Sequence, residues 1–159
     1  MLIFVSLLPF GTHGQKKKIA YKDVFVYLSN SQFTDAEPLL RQYLRENETN
    51  ANAFMYMGYI FESRFQIADF LRSPKESSSL ADSAIFYLDL CVKNLTEKEL
   101  KRNDEYYQSF SRRDFRTGEF GIKLSDINFE LNKKIESIRE LQKHRSKRSE
   151  EHTSELQSP

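Results

Sequence analysis

The chain has 159 residues, 39% of them hydrophobic and 30% charged, with five glycines and four prolines. This composition is typical of one helical globular domain and excludes a low-complexity chain. The formal net charge of +1 gives no electrostatic argument for nucleic-acid binding. Cys91 is the single cysteine, which excludes an internal disulfide and a zinc site built from cysteines.

The first residues resemble a secretory signal peptide. The apolar run from Leu2 to Phe10 is too short to span a bilayer, and Thr12 and Gly14 stand where signal peptidase accepts small residues. Three lysines follow, at 16–18. We therefore expect residues 1–14 to be a signal peptide and the protein to be exported to the periplasm or cell envelope. No other segment is long and apolar enough to predict a transmembrane helix.

Apolar positions at helical spacing predict helices through the rest of the chain. Val24, Tyr27 and Leu28 share a face of the first helix. The sequence TDAE, with Thr34 and Glu37 as a capping box, predicts the start of the second. A third is expected from about residue 51 to about residue 71, where the polar stretch RSPKESSS predicts a break.

Three more helices are expected downstream. The fourth carries apolar residues from Leu80 to Leu95, and Thr96 and Glu99 form a second capping box that predicts a fifth. A glycine-containing loop, RTGEFG, precedes the last helix. The apolar residues of that helix recur every three or four positions from 124 to 141. No alternating strand pattern of useful length is present, so the fold class is all-α.

The stretch FMYMGYIF resembles the first-helix motif of the tetratricopeptide repeat family, W-x2-L-G-x2-Y. Phe54, Met57, Gly58 and Phe61 stand at the motif spacings, and a glycine inside a helix indicates close approach of a second helix. The other residues that match the repeat are Tyr27, Ala36, Leu40, Ala84 and Leu88. Tyr27 and Ala36 are nine positions apart, whereas Phe61 and Ala84 are 23 positions apart. The second repeat therefore has 14 extra residues between its two helices.

The resemblance implies antiparallel helical hairpins closed by a C-terminal capping helix, and a protein-interaction scaffold. In that family a protein or peptide partner binds a groove lined by the first helices. By this resemblance six exposed residues are expected to bind the partner: Tyr21, Phe25, Asn52, Met55, Tyr59 and Glu62.

Catalysis within the chain is not expected. The three histidines lie in the N-terminal leader, in the basic end of the last helix and in the tail, so the body of the chain lacks the commonest general base. A carboxylate or lysine could serve instead, but no motif marks one. We therefore expect no catalytic, cofactor-binding or metal-binding residue.

Two alternatives remain open at the level of sequence. The chain could be the accessory or substrate-binding domain of an enzyme whose catalytic part lies beyond Lys147. It could also be an arginine-centred module for anions or nucleic acid, because Arg112, Arg113 and Arg116 alternate with aromatic residues. The acids of the same stretch favour a structural connector in which these arginines are paired: Asp104, Glu105, Asp114 and Glu119.

The C-terminal end does not continue the apolar pattern. Residues 148–158 resemble, residue by residue, the translation of a common sequencing-library adapter. We therefore expect residues 148–159 to be a non-native tail, the helical domain to span residues 19–147, and the chain to be a fragment of a longer protein.

Overall fold

Helices make up most of the chain that the structure describes, which is residues 18–157 of a computed structural model. This confirms the all-α fold built from helical hairpins. The predicted signal peptide, residues 1–14, lies outside the described residues. In chain order the elements are α1 (Tyr21–Ser29), α2 (Phe33–Leu44), α3 (Ala51–Ile67), α4 (Pro74–Asn94), α5 (Glu97–Arg102), a 3₁₀ helix (Asp104–Phe110), β1 (Arg112–Arg113), β2 (Phe120–Gly121) and α6 (Leu124–Gln157).

The first hairpin, α1 and α2, is closed by small and aliphatic side chains. Val24 and Leu28 of α1 and Ala36 and Leu40 of α2 are buried in one cluster. Three residues of α3 complete this cluster: Ala53, Met57 and Ile60. The prediction that Tyr27 lies on the same face as Val24 and Leu28 is wrong, because Tyr27 is 37% exposed whereas the other two are buried. Val24 and Leu28, four residues apart, form the stripe that meets α2.

Helix α3 is the centre of the molecule. Met57 and Ile60 face the first hairpin, whereas Phe54, Met55 and Phe65 belong to a second cluster with α4, α5, the 3₁₀ helix and α6. A helix that is apolar on most sides requires neighbours on most sides. Burial of α3 therefore depends on elements from both ends of the chain.

Gly58 lies at a close crossing of α3 and α4, as the motif predicts. A Cβ atom added at Gly58 would stand 2.6 Å from Cγ of Leu88 and 3.3 Å from the carbonyl oxygen of Ala84. Both residues of α4 are fully buried. The structure thus brings together three of the residues singled out by the repeat motif. Phe61, another motif residue, is half-buried and stacks on Tyr87 with ring centroids 5.6 Å apart.

The hairpin of α3 and α4 has different bounds from those expected. Helix α4 begins at Pro74, so most of the polar stretch RSPKESSS is its first turns and not a loop. Proline is well suited to the first position of a helix, where its missing N–H would be unpaired in any residue. Helix α3 ends at Ile67, four residues before the expected end.

One of the two predicted capping boxes is wrong. Thr34 lies inside the first turn of α2, and its expected partner Glu37 instead accepts hydrogen bonds from Arg41 and Arg64. At the start of α5 the side-chain oxygen of Thr96 accepts from the backbone N–H of Glu99 at 3.1 Å, which is the Thr96 half of the predicted capping box. Within the described residues, Oε1 of Glu99 has no hydrogen-bond partner.

Helix α6 packs along α4 and covers the second cluster. Its buried stripe is formed by Ile127, Leu131, Ile135 and Ile138, while Leu141, predicted on the same face, is 37% exposed. Beyond Leu141, polar contacts join α6 to α3 and α4. They come from Gln142, whose amide nitrogen donates to Ser78 and Asp82, and from Arg145, whose guanidinium donates to the backbone carbonyls of Phe65 and Gln66.

Helix α6, described as Leu124–Gln157, runs through the predicted tail boundary at Lys147. No glycine or proline occurs between 124 and 157, so nothing in the local sequence stops the helix. Ser149 is 7% exposed, and the residues from 150 to 155 are exposed. The helical state of the tail therefore follows from its composition, with little packing to hold it.

Candidate functional site

Six aromatic side chains from α1, α2, α3 and the 3₁₀ helix form a continuous row, which we call the aromatic strip: Tyr43, Tyr21, Tyr106, Phe25, Tyr56 and Tyr59. Neighbouring ring centroids along the strip are 4.8–5.8 Å apart, and four of the five contacts are edge-to-face. This arrangement is favourable for aromatic rings because the positive edge of one meets the negative face of the next. Each ring therefore limits the motion of its neighbour.

The aromatic strip is only partly covered. Tyr21 is buried at 7% exposure, whereas the other five rings are half-buried. The strip thus presents rigid, partly exposed aromatic surface where four elements meet.

Asn52 fixes the elements that carry the strip. Its side-chain oxygen accepts a 2.5 Å hydrogen bond from the hydroxyl of Tyr21, and its side-chain nitrogen donates to the carbonyl oxygen of Tyr106 at 3.0 Å. Asn52 is 1% exposed, and its bond with Tyr21 is buried, whereas its bond with Tyr106 is partly buried. One amide therefore joins α1, α3 and the 3₁₀ helix, and its loss would leave buried polar groups unpaired.

A partly buried ion pair closes one end of the strip. Nζ of Lys134, on α6, lies 2.9 Å from both carboxylate oxygens of Glu62 and 5.2 Å from the ring centroid of Tyr59. The ammonium thus makes a salt bridge and a cation–π contact together. The aromatic surface has a charged rim at this end.

The structure divides the six residues predicted to bind a partner. Phe25, Tyr59 and Glu62 are partly exposed on the strip or its rim. The prediction of an exposed groove is wrong for three others, which are buried: Tyr21, Asn52 and Met55. The cause is tertiary, because α5, the 3₁₀ helix and α6 pack on the side of α3 that the sequence motif leaves open.

Sequence reasoning missed Tyr56, Tyr106, Tyr43 and Lys134. Tyr56 could have been found, since it stands three residues before Tyr59 and therefore on the same side of the helix. Tyr106 is 54 residues from Asn52, its partner on α3, and Lys134 is 72 residues from its partner Glu62. No local sequence pattern indicates contacts over such separations.

Burial affects the titratable groups of this region. Burial raises the pKa of Tyr21, Tyr56 and Tyr59 above the ordinary value of a phenol. Burial also raises the pKa of the Cys91 thiol to about 12. At neutral pH these groups are protonated, so the tyrosines act as hydrogen-bonding groups and the thiol is not a nucleophile. Within residues 18–157, no group of three or more His, Cys, Asp or Glu side chains is placed to hold a metal ion.

The arginine-rich loop forms a second distinct surface. The expected pairing of its arginines with nearby acids is wrong: in the part of the chain that is described, the three side chains make no ion pair. Arg112 donates to the carbonyls of Ser109 and Ser111, and Arg113 donates to that of Gly118. The two short strands hold the loop as an antiparallel hairpin.

No protein-family model matches this sequence, and comparison with curated proteins and with solved structures gives no match. Among the described residues, none forms a helix with both the length and the apolarity needed to cross a membrane.

Proposed function

We propose that the chain is an exported protein-interaction scaffold, built on tetratricopeptide-like hairpins, that holds a partner polypeptide across the aromatic strip. The observation that carries this proposal is the continuity of the strip over α1, α3 and the 3₁₀ helix. Aromatic residues are enriched in the cores of protein interfaces, and tyrosine is among the residues that contribute most binding energy there.

The rigidity of the strip supports binding at low entropic cost. The rings of Phe25, Tyr56 and Tyr106 hold one another by edge-to-face contacts before any partner arrives. A side chain already confined to one rotamer loses little freedom on binding. The hydroxyls of Tyr56 and Tyr59 stay protonated at neutral pH, so they can donate hydrogen bonds to a peptide backbone.

The rim indicates how a partner would be oriented. Glu62 and Lys134 stand at one end of the strip, and each has a side chain that is partly exposed. A polar or charged residue of the partner would pair here, while its apolar residues cover the rings. Export rests on the apolar run at residues 2–10 and the small residues that follow it.

A peptide-selection experiment tests the proposal. Peptides that bind the wild-type chain are selected from a random library, and their affinities are then measured for Phe25→Ala and Tyr56→Ala variants. Each truncation is expected to weaken binding about tenfold or more, as for aromatic residues at interface centres. Phe86→Ala is the matched control, because Phe86 is 57% exposed on α4 and makes no contact with a strip ring.

Circular dichroism of each variant shows whether a loss of affinity comes from the missing side chain or from unfolding. Selected peptides that bind the Phe25 and Tyr56 variants as tightly as the wild type would contradict the proposal. Equal losses in the Phe86 control would also contradict it, because they would place the binding surface elsewhere.

A further inference from the structure

The hairpin between the 3₁₀ helix and α6 exposes two phenylalanines to solvent. Phe115, in the turn, is fully exposed, and Phe120, on β2, is 75% exposed. Within the described residues neither ring makes an aromatic contact. Two large, exposed apolar side chains on one loop mark an interaction site more often than an isolated exposed residue does.

The turn that presents Phe115 is held by its own hydrogen bonds. The carboxylate of Asp114 accepts from the backbone N–H groups of Arg116 and Thr117, at 2.9 and 3.2 Å, and pairs with Nζ of Lys123 at 3.0 Å. Gly118 has a φ of 77°, a conformation that favours glycine, and its N–H donates to the carbonyl of Asp114 at 2.8 Å. The exposure of Phe115 is therefore a property of a defined turn.

The side chains next to these rings carry a small excess of positive charge. The hairpin carries four basic side chains: Arg112, Arg113, Arg116 and Lys123. The carboxylates of the hairpin and of the first turn of α6 are fewer: Asp114, Glu119 and Asp126. Among the described residues, Lys123 is the one of the four that makes an ion pair. Arg112 and Arg113 each donate to backbone carbonyls but keep further N–H groups, so the three guanidiniums can still bind anions.

We propose that this hairpin is a contact site for an anionic lipid surface, a role separate from the peptide binding proposed for the aromatic strip. Phe115 and Phe120 would enter the boundary between headgroups and acyl chains, and the arginines would contact lipid phosphates. Membrane-surface binding combines buried apolar area with attraction to anionic lipid in this way. Arg113 and Phe120 are directly opposite in the β1–β2 register and share a face, so one ring and one guanidinium can reach the same surface.

The geometry favours lipid over single-stranded nucleic acid. Nucleic-acid sites of that kind stack successive bases on aromatic rings along a basic groove. Here Phe115 is fully exposed and Phe120 is 75% exposed, and among the described residues the two rings make no aromatic contact with each other, so they offer no continuous stack for successive bases. Two exposed apolar rings with basic neighbours fit a charged lipid surface.

A tryptophan reporter tests this proposal, because the chain contains no tryptophan. Phe115→Trp is made in the full chain and mixed with vesicles of mixed phosphatidylglycerol and phosphatidylcholine, or of phosphatidylcholine alone. We expect a blue shift of the emission with the anionic vesicles only. The apolar run at residues 2–10 can itself bind lipid, so the reporter must be local; Phe86→Trp on α4 is the matched control and should not shift.

Vesicle co-sedimentation supplies the second measurement. Phe115→Ala with Phe120→Ala is expected to lower partitioning onto anionic vesicles by roughly tenfold, and Arg112→Gln with Arg116→Gln by a similar factor. Phe86→Ala should leave partitioning unchanged. An unshifted emission from the Phe115→Trp variant, an equal shift from the Phe86→Trp control, or a shift produced only by a single-stranded oligonucleotide would overturn the proposal.

Discussion

Gly58 marks the point where α3 and α4 come closest. Helix propensity alone would favour alanine there by about 1 kcal/mol. The structure leaves no room for it, because the added Cβ would stand 2.6 and 2.7 Å from two side-chain carbons of the buried Leu88. At this residue the packing of a second helix outweighs the intrinsic preference of the first.

We therefore expect Gly58→Ala to lower the free energy of unfolding by about 1–3 kcal/mol, as overpacked core substitutions do. Urea unfolding followed by circular dichroism measures this change. Combining Gly58→Ala with Leu88→Ala should cost less than the sum of the two, since the second substitution removes the clash. Gly121→Ala is the control, as no atom lies within 4 Å of its added Cβ. Equal tolerance at positions 58 and 121 would contradict the close crossing.

Glu37 joins α2 to α3 through two arginines. Burial by itself raises the pKa of this carboxyl, but hydrogen bonds from Arg64 and Arg41 outweigh burial and hold the pKa below its ordinary value. The same two guanidiniums lie over the ring of Phe61 at 5.4 and 6.0 Å from its centroid. Glu37 thus holds both guanidiniums beside Phe61, where α2 and α3 meet.

The lowered pKa of Glu37 predicts a dependence of stability on pH. A carboxyl whose pKa is lower in the folded state contributes stability above its unfolded-state pKa and loses it as the pH falls through the folded-state value. We expect the difference in unfolding free energy between wild type and Glu37→Gln to be present at pH 7, to shrink as the pH falls below the ordinary pKa of a glutamate carboxyl, and to be lost below the lowered folded-state pKa. Thermal unfolding across this range measures it. Glu140→Gln, on the exposed face of α6, is the control and should show no such trend.

At the scale of elements, α6 is held along part of its length only. Its apolar stripe ends at Ile138, and the last strong contacts are those of Gln142 and of Arg145, whose guanidinium caps the carbonyl end of α3. Beyond Lys147 the helix continues with Ser149 as its buried residue among those from 148 to 155. The docking of the helix therefore depends on residues before 147.

We expect a chain ending at Lys147 to fold with nearly unchanged stability. The loss should be under about 1 kcal/mol, which corresponds to a fall in Tm of roughly 2–4 °C. A chain ending at Leu141 is the contrast, because it also lacks Gln142 and Arg145 and should melt clearly lower. Differential scanning calorimetry compares the three chains. A large fall on removing residues 148–159 alone would show that the tail packs, against our expectation that it is not native.

For the whole molecule, α3 makes one cooperative unit of two clusters. Ala53, Met57 and Ile60 belong to the cluster with α1 and α2, whereas Met55 and Phe65 belong to the cluster with α4 and α6. When either cluster comes apart, α3 loses part of its packing and unfolds. The other cluster then loses its core as well, because it also contains residues of α3.

Leu40→Ala tests this cooperativity. Leu40 is fully buried in the first cluster, and its truncation should lower the free energy of unfolding by about 2–5 kcal/mol. Hydrogen–deuterium exchange should show the same loss of protection in α1–α2 and in α4–α6. Leu71→Ala, at a residue that is 42% exposed, is the control. Faster exchange confined to α1 and α2 would show that the clusters unfold separately.

Some features of this protein could be predicted from the sequence because their causes are local. Apolar residues at helical spacing determine that the fold is all-α, and a glycine within the apolar face of a helix predicts the crossing at Gly58. The start of α5 followed from Thr96, whose side chain can reach only the N–H groups next to it.

Only the tertiary structure decided which side of α3 is covered. Periodicity shows that a face is apolar, but it does not show which element will cover it. Asn52 meets Tyr106 across 54 residues and Glu62 meets Lys134 across 72, and such contacts depend on the path of the intervening chain. Burial of Met55 and Asn52, and the appearance of Tyr56 and Tyr106 on the aromatic strip, follow from that path, because helices distant in sequence compete for the same apolar face.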